Sequence, residues 1–217
     1  MNTGKLIVID GIDGSGKATQ TKLLVDRLKA AGKAVETFYF PQYEKNFFGR
    51  MVRRYLNGEF GPATEVNPYL ASILYAADRW ESAETLKQWL TEGKTVILDR
   101  YYTSNLIHQG SKFNGQNIDD FIAWVEKMEF ETFKIPKPDL VIYLHLNHRL
   151  AYEMIAKRGN GHDGLDTLEH MQKAEENCLA LAKKLKWATV ECQSLDNEIK
   201  SIPDIAEEVW QKIKLIN

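Results

Sequence analysis

The segment Gly11-Ile-Asp-Gly-Ser-Gly-Lys17 has the residue types and the spacing of a phosphate-binding loop. It follows an apolar run and opens a helical pattern, which is the context that a G-x-x-x-x-G-K loop requires. Glycines let the backbone wrap a phosphate, and the loop amides and the helix N-terminus attract its charge. We therefore predict a triphosphate site in which Lys17 reaches the β- and γ-phosphates. A tight strand-to-helix turn with an incidental lysine is the structural alternative.

The residue after Lys17 bears on a metal ion. The loop pattern expects Ser or Thr there, whose hydroxyl binds Mg²⁺, but this chain has Ala18. Thr19 is one place further and points to another helix face. We expect Mg²⁺ to be held by phosphate oxygens, water and carboxylates, with Asp99 and Asp13 as the candidate ligands.

A second charged group, Asp99-Arg100-Tyr101, follows an apolar run in the middle of the chain. An acidic residue at the end of a buried strand beside a phosphate-binding loop can order Mg²⁺ and its water. Arg100 would then be a fixed cation near a transferring phosphoryl group, where charge stabilisation contributes most. A salt bridge at a strand end is the alternative interpretation.

Two aromatic segments could serve an acceptor nucleotide. Arg79 follows Tyr75 by four residues, so both lie on one face of a helix, where a ring and a guanidinium suit a base and a phosphate. Phe40-Pro41-Gln42-Tyr43 follows the second predicted strand at the same edge. Core packing is the alternative for Tyr75 and Trp80.

Apolar runs alternate with amphipathic stretches along the whole chain. They predict strands at 6–9, 35–40, 95–98, 140–144 and 189–192. They predict helices at 19–31, 48–57, 67–92, 118–129, 150–157, 168–185 and 202–215. Continuously apolar strands separated by helices indicate an α/β fold, a mostly parallel sheet covered on both faces. Ligands of such sheets bind beyond the carboxyl ends of the strands.

Composition narrows the class of protein. The chain has 217 residues, which favours one domain. The net charge of -2 lacks the basic excess of a general nucleic-acid binder, so no nucleic-acid partner is expected. Two cysteines in a chain of this size do not make a disulfide scaffold. No apolar run approaches a membrane span and no signal peptide is recognisable, so we expect no membrane partner and a cytoplasmic location.

In this combination and order, these motifs resemble those of the thymidylate kinase family of nucleoside monophosphate kinases. The resemblance rests on residues 11–20, 40–43, 75–81, 98–105 and 136–139, and it extends from residue 5 to about 191. It implies a three-layer α-β-α sandwich of P-loop NTPase type, with five parallel strands and a small mobile lid at about 157–167. It further implies a single kinase domain over 1–217 and transfer of the γ-phosphoryl group of ATP to thymidine 5′-monophosphate (dTMP), with Mg²⁺, for dTTP biosynthesis.

The resemblance also assigns roles to individual residues. The implied catalytic residues are Lys17, Arg100, Asp13 and Arg158. Because Ser15 in the loop is not basic, the catalytic cation is expected from the lid, where Arg158 and Lys157 are the candidates. A solvated basic pair at a helix end is the alternative for 157 and 158. The implied ATP-binding residues are Gly11, Ile12, Asp13, Gly14, Ser15, Gly16, Lys17, Ala18 and Thr19. The implied dTMP-binding residues are Asp13, Phe40, Tyr43, Tyr75, Arg79, Arg100, Ser104, Asn105 and His108.

The sequence also allows alternative interpretations of the function. The loop 14–20 also resembles that of adenylate kinases, so another nucleotide or a nucleoside could be the acceptor. A nucleotide-binding regulator without chemistry is the non-enzyme alternative, supported only by Ala18. The family forms homodimers, for which the patterns at 67–92 and 118–129 could supply a face, although core packing explains the same residues.

Overall fold

The computed structural model describes residues 4–113, 117–158, 164–165 and 167–214. Within them, one sheet carries all five strands, in the order β2-β3-β1-β4-β5, and every neighbouring pair is parallel. The strands are β1 (Lys5–Asp10), β2 (Val35–Tyr39), β3 (Thr95–Asp99), β4 (Leu140–His145) and β5 (Ala188–Glu191). Each predicted strand agrees with the observed one to within a residue or two at each end.

The central strands are buried on both faces, which is why their sequences are continuously apolar. Val8 of β1 lies opposite Leu98 of β3 on one side and Val141 of β4 on the other. This register brings Asp10 and Asp99 to the same edge, since parallel strands end together. The predicted three-layer α-β-α architecture is confirmed.

Helices cover the sheet and connect its strands. The α-helices of the described residues are α1 (Lys17–Ala30), α2 (Phe47–Leu56), α3 (Pro68–Glu81), α4 (Ala83–Thr91), the short turn α5 (Tyr102–Ser104), α6 (Ile118–Glu126), α7 (His148–Arg158), α8 (Leu168–Lys184) and α9 (Ile202–Ile213). Asn46, Asn67, Thr167 and Ser201 cap α2, α3, α8 and α9, each accepting a hydrogen bond from a backbone N–H of the first turn. These caps explain where the four helices begin.

Three helical predictions need correction. The single helix expected at 67–92 is two helices, α3 and α4, which are separated at Ser82. The helix expected at 118–129 changes after Glu126 into a wider π-helical turn, Lys127–Thr132. Residues 105–112, for which no element was predicted, continue α5 as a π-helical turn, Asn105–Gln109, and a 3₁₀ turn, Gly110–Lys112. Most of the lid expected at about 157–167 lies outside the described residues.

Candidate active site

The phosphate-binding loop lies between β1 and α1, as its sequence predicts. Gly14 has a φ of 84°, and a Cβ there would lie 2.3 Å from the carbonyl oxygen of Ala151 in α7. Only glycine therefore permits this turn and this close approach together. Lys17 is buried, and its ammonium donates to the carbonyl oxygens of Gly11 (3.0 Å) and Ile12 (2.9 Å). Burial and the nearby Arg100 lower the pKa of Lys17 against the attraction of Asp13 and Asp99.

Asp13 of the loop forms an ion pair with Arg100, which comes directly after β3. Burial favours the neutral carboxyl, but the positive charges of Arg100 and Lys17 outweigh it and hold the pKa of Asp13 below its usual range. Burial likewise opposes the charge of Arg100, and the three carboxylates of Asp13, Asp10 and Asp99 raise the pKa of Arg100 above its ordinary value. Both groups therefore stay charged, and the pair joins the loop to the end of β3.

The backbone at Arg100 aims its side chain. Arg100 has a φ of 66°, in the left-handed region that a residue with a Cβ rarely adopts, and its N–H donates to the carbonyl oxygen of Ile9 (3.0 Å). Such strained residues persist where the surrounding structure over-determines them, often at functional sites. The turn leaves Asp99 half-buried at the strand end and places the Tyr101 side chain fully inside.

One cavity lies beyond the ends of β1 and β3. Its wall contains every side chain that the family resemblance assigns to dTMP: Asp13, Phe40, Tyr43, Tyr75, Arg79, Arg100, Ser104, Asn105 and His108. These residues come from four separate stretches of the chain, so the fold has brought them together. A second, more open groove, which Ala18 and Asp99 help to line, shares Asp13 and Arg100 with this cavity.

Hydrogen bonds orient the polar residues of the cavity wall. Asn105 donates through its amide nitrogen to the carbonyl oxygen of Ser72 (3.2 Å). This bond orients the amide, so that the oxygen of Asn105 faces away from Ser72. Ser104 donates to the carboxylate of Asp10 (2.9 Å), so this hydroxyl hydrogen is already used.

His108 belongs to a directed chain of hydrogen bonds. Arg100 Nη1 lies 3.2 Å from His108 Nε2, and His108 Nδ1 lies 3.4 Å from His170 Nε2. Because a guanidinium only donates, His108 Nε2 accepts and its proton lies on Nδ1, facing His170. Burial and the charge of Arg100 hold the pKa of His108 well below its usual range, so the ring is neutral.

Arg79 is almost completely buried in the wall of the same cavity. Its Nε lies 3.2 Å from each oxygen of the Glu129 carboxylate, its Nη2 also contacts that carboxylate, and its Nη1 donates to the carbonyl oxygen of Tyr101 (3.4 Å). Burial alone would lower the pKa of Arg79, but the attraction of Glu129 raises it. The cation expected on this helix face is thus present and held by a carboxylate that the sequence did not indicate.

Comparison with known proteins identifies the family. The family model described as thymidylate kinase matches residues 9–201. The chain belongs to the thymidylate kinase family. A thymidylate kinase of Schizosaccharomyces pombe is 31% identical over 217 residues, covering 100% of this chain and 94% of that protein. The human thymidylate kinase is 31% identical over 209 residues, covering 95% of this chain and 88% of that protein.

The fold agrees with this assignment. The solved structure of the thymidylate kinase of Candida albicans superposes with a TM-score of 0.76 at 24% identity, covering 98% of this chain and 92% of that one. Membership confirms the predicted activity: the chain is a kinase that transfers the γ-phosphoryl group of ATP to dTMP, giving dTDP on the way to dTTP. The alternative of a regulator without chemistry is therefore not retained.

For a thymidylate kinase, the most informative residues missed by sequence reasoning are Asp10, Glu129 and His170. Asp10 is fully buried and accepts from Thr103, Ser104 and the backbone N–H of Gly11. It ends a buried strand directly before the loop, so its position carried a usable signal. Glu129 and His170 lie in ordinary amphipathic helical patterns, where nothing separates them from surface residues.

Two further observations concern what the described residues lack. Within 4–113, 117–158, 164–165 and 167–214, no three His, Cys, Asp or Glu side chains converge as metal ligands would. No helix in this part of the chain is both long and apolar enough to cross a bilayer. Arg158 is the last residue of α7, and its side chain, like 159–163 and 166 of the predicted lid, lies outside the described part.

Proposed function

We propose that this chain binds dTMP in the cavity beyond β1 and β3 and the phosphates of ATP on the loop 11–19. The observation that carries the proposal is the shared wall. Asp13 and Arg100 line both the cavity and the groove beside the loop, so acceptor and donor phosphates would meet at this ion pair. Nucleotide sites of α/β folds occur at this edge of the sheet.

In this arrangement the chain acts by positioning and by charge. The phosphate of dTMP is already ionised, so the transfer needs no strong base. Lys17 and the loop amides would hold the β- and γ-phosphates, and Arg100 would stabilise the charge that spreads over the transferred group. Arg158 would add a second cation from the lid, and exclusion of water would make dTMP the acceptor.

The walls of the cavity fit a nucleotide of this kind. Tyr75 is proposed to stack on the base, with Arg79 and Asn105 at the base edge, while Phe40 and Tyr43 close over the monophosphate. Asn105 suits this role because its amide nitrogen is already bound to Ser72, which leaves the oxygen to accept. His108 would face the sugar as a neutral ring.

Mg²⁺ is proposed as the cofactor, and the residues present fit it. The Asp99 carboxylate lies at the end of β3 in a groove shared with Ala18 and Asp13, and it accepts no hydrogen bond from the described residues. Burial raises the pKa of Asp99 against the attraction of Lys17, so a cation nearby would favour its ionised form. Mg²⁺ usually takes one or two carboxylates, with water and substrate phosphates, and neutralises charge on the phosphates. Asp99 would bind a water molecule of the Mg²⁺ ion. Asp13 would contribute less, because it already forms an ion pair with Arg100.

A homodimer is proposed through one face of α3. Leu70, Ile73 and Trp80 are exposed by 63%, 39% and 51% and follow one another at helical spacing. Trp80 lies beside Phe133 at the end of the π-helical turn, with ring centroids 6.3 Å apart, which extends the apolar area. Such a stripe on a surface helix is the kind of patch that partner chains cover.

We also propose the cytoplasm as the compartment of this enzyme. Both cysteines, Cys178 and Cys192, are buried free thiols. Burial raises the pKa of each thiol, to about 12 for Cys192, so neither is poised for oxidation. Free thiols of this kind are typical of reducing compartments.

The proposal is tested by ADP formation from ATP and Mg²⁺ with a panel of acceptors: dTMP, dUMP, the ribose analogue of dTMP, dCMP, dGMP, AMP and thymidine. We expect rapid turnover with dTMP and slower turnover with dUMP. A preference for another acceptor would overturn the assignments of Tyr75 and Asn105. Substitution of Tyr75 by Leu should raise the KM for dTMP and leave the KM for ATP nearly unchanged.

A further inference from the structure

Glu129 has an unusual place for an acidic residue. Its side chain is fully buried, with 0% of its surface exposed, and it points at an arginine that lines the acceptor cavity. Ionised side chains are rarely buried to this extent unless they are paired. The pair also spans 50 positions of the chain, from the last turn of α3 to the segment after α6.

A change in helix type places this carboxylate. The wider turn Lys127–Thr132 turns two consecutive side chains, Met128 and Glu129, into the interior. It is closed by hydrogen bonds from the N–H of Phe133 to Met128 (2.9 Å) and from the N–H of Ile135 to Glu129 (3.0 Å). π-Helical turns of this kind occur frequently at functional sites. The backbone therefore holds Glu129 in one place.

The hydrogen bonds of Arg79 show which part of its guanidinium is committed. The group carries five N–H donors in a planar fork. Nε and one hydrogen of Nη2 go to Glu129, and one hydrogen of Nη1 goes to the carbonyl oxygen of Tyr101. The second hydrogen of Nη1 and that of Nη2 have no acceptor among the described residues. Since Arg79 lines the cavity, these two donors are the ones that a nucleotide can take.

We propose that Glu129 is a positioning residue for acceptor binding: its bidentate contact sets the plane of the Arg79 guanidinium, so that the remaining donors face dTMP. This inference rests on the proposed placement of dTMP in the cavity. A bidentate carboxylate defines a guanidinium plane in a way that a single contact does not. Glu129 does not line the cavity, whereas Arg79 does, so an effect of Glu129 on dTMP would pass through Arg79.

The test measures steady-state KM and kcat for both substrates in Glu129→Gln, with Glu131→Gln as a matched control. Glu131 lies on the same turn and is exposed. We expect Glu129→Gln to raise the KM for dTMP by roughly tenfold or more, with a KM for ATP within about twofold of wild type. Glu131→Gln should change neither. Glu129→Asp keeps the charge but is one methylene shorter. Compared with Glu129→Gln, it should restore the thermal stability, and it should bring the KM for dTMP only part of the way back to the wild-type value.

A coupling measurement separates positioning from a general structural role. Residues that act through one another are not additive. In an Arg79→Met background, Glu129→Gln should therefore add no further increase to the KM for dTMP. Arg79→Met/Glu129→Met replaces the pair by apolar side chains and supplies a folded reference, since buried pairs tolerate such replacement. If Glu129→Gln does not fold, Glu129→Asp is expected to raise the KM for dTMP alone and carries the test.

Three results would overturn the role of Glu129: a folded Glu129→Gln or Glu129→Asp with a wild-type KM for dTMP, an equal rise in the KM of both substrates, or full additivity with Arg79→Met. A different result would contradict the proposed site instead. If Arg79→Met itself leaves the KM for dTMP unchanged, the acceptor does not bind against Arg79.

Discussion

Arginine and carboxylate pairs organise the site at the scale of single residues. Arg100 is held by Asp13 at the junction of the cavity and the groove, and Arg79 is held by Glu129 in the cavity wall. The two pairs differ in burial, because Asp13 and Arg100 keep part of their surface exposed whereas Arg79 and Glu129 keep almost none. Arg100 is therefore the one that substrates can reach with least rearrangement.

Removal of the positive charge of Lys17 or of Arg100, the two cations proposed to contact the phosphates, should abolish most activity. We expect Lys17→Met and Arg100→Ala to lower kcat by about 100-fold or more, because each removes charge that stabilises the transferred phosphoryl group. The fold should persist, as judged by circular dichroism. Lys29→Met and Arg27→Ala, which alter exposed residues of α1, are the matched controls. Near-normal turnover in Lys17→Met or Arg100→Ala would remove that residue from the mechanism.

His170 makes the folded state sensitive to acid. Burial, chiefly, lowers the pKa of His170 from 6.5 to about 4. Between these values the unfolded chain binds a proton that the folded chain does not, so stability falls as the pH drops through this window. Between pH 7 and pH 5 the loss from this group should be about 1–2 kcal/mol.

Urea unfolding of wild type and His170→Gln at pH 7 and pH 5 tests this. The variant should lose less of its free energy of unfolding over the interval than the wild type does. An equal loss in both proteins would show that His170 takes up its proton in the folded state as well.

At the scale of elements, α3 is the main organiser of the acceptor side. Its last two turns carry Tyr75 and Arg79 into the cavity wall. Between them, Asp78 accepts from the backbone N–H of Gln42 (3.2 Å), and Gln42 donates through its side chain to Ser82 (2.8 Å) at the helix end. These hydrogen bonds hold the segment with Phe40 and Tyr43 against the end of α3. Ser82, where α3 ends, provides one of the acceptors.

The contact between the phosphate-binding loop and α7 gives a prediction at the same scale. Gly14→Ala should impair both stability and the KM for ATP, because the new Cβ would meet the Ala151 carbonyl and push the loop from α7. Gly32→Ala is the matched control: its φ is also positive, at 74°, but nothing lies within 4 Å of a Cβ there. It should cost about 1 kcal/mol of stability and leave the KM for ATP unchanged. Equal KM values for the two variants would show that the loop tolerates the displacement.

At the scale of the whole molecule, the proposed dimer face gives a prediction in solution. We expect wild type to sediment at twice the chain mass of 24.9 kDa, and Leu70→Asp to sediment as a monomer. A charge within an apolar interface is unfavourable because it is desolvated without a partner. Leu179→Asp, at an exposed leucine of α8, is the control and should stay dimeric. A monomeric wild type, or a dimeric Leu70→Asp, would contradict the proposed interface.

The predicted single domain over 1–217 and its lid stay predictions. The described residues form one sheet with one large core cluster around it, and a smaller cluster lies under α2 and α3. The second cluster includes Tyr55, whose hydroxyl donates to the carbonyl oxygen of Ala63 (2.8 Å). This second cluster borders the cavity in which dTMP is proposed to bind, since Leu56 and Tyr75 line that cavity.

The fold and most of the candidate site could be read from local sequence. The loop 11–17 needs glycines at positions where the backbone turns through positive φ, and this requirement is written in residue types at fixed spacing. The three central strands are buried on both faces and need continuous apolar runs, which made them recognisable. The edge strands β2 and β5 are partly exposed and mix apolar with polar residues, yet their bounds were also predicted to within a residue. Asp99 and Arg100 were found because they follow such a run directly.

Only the tertiary structure decided which partners hold these residues. Glu129 meets Arg79 across 50 positions, His170 meets His108 across 62, and Asp10 meets Thr103 across 93. Each contact depends on the path of the chain between its members, and the contact of Glu129 depends also on the helix type at 127–132. A local sequence pattern encodes neither. The sequence by itself thus predicted a phosphate-binding loop and determined the strands and most of the helices, because those follow from short-range backbone geometry and apolar periodicity. The orientation and protonation of the side chains around an acceptor follow from burial and long-range pairing, and these exist only once the chain has folded.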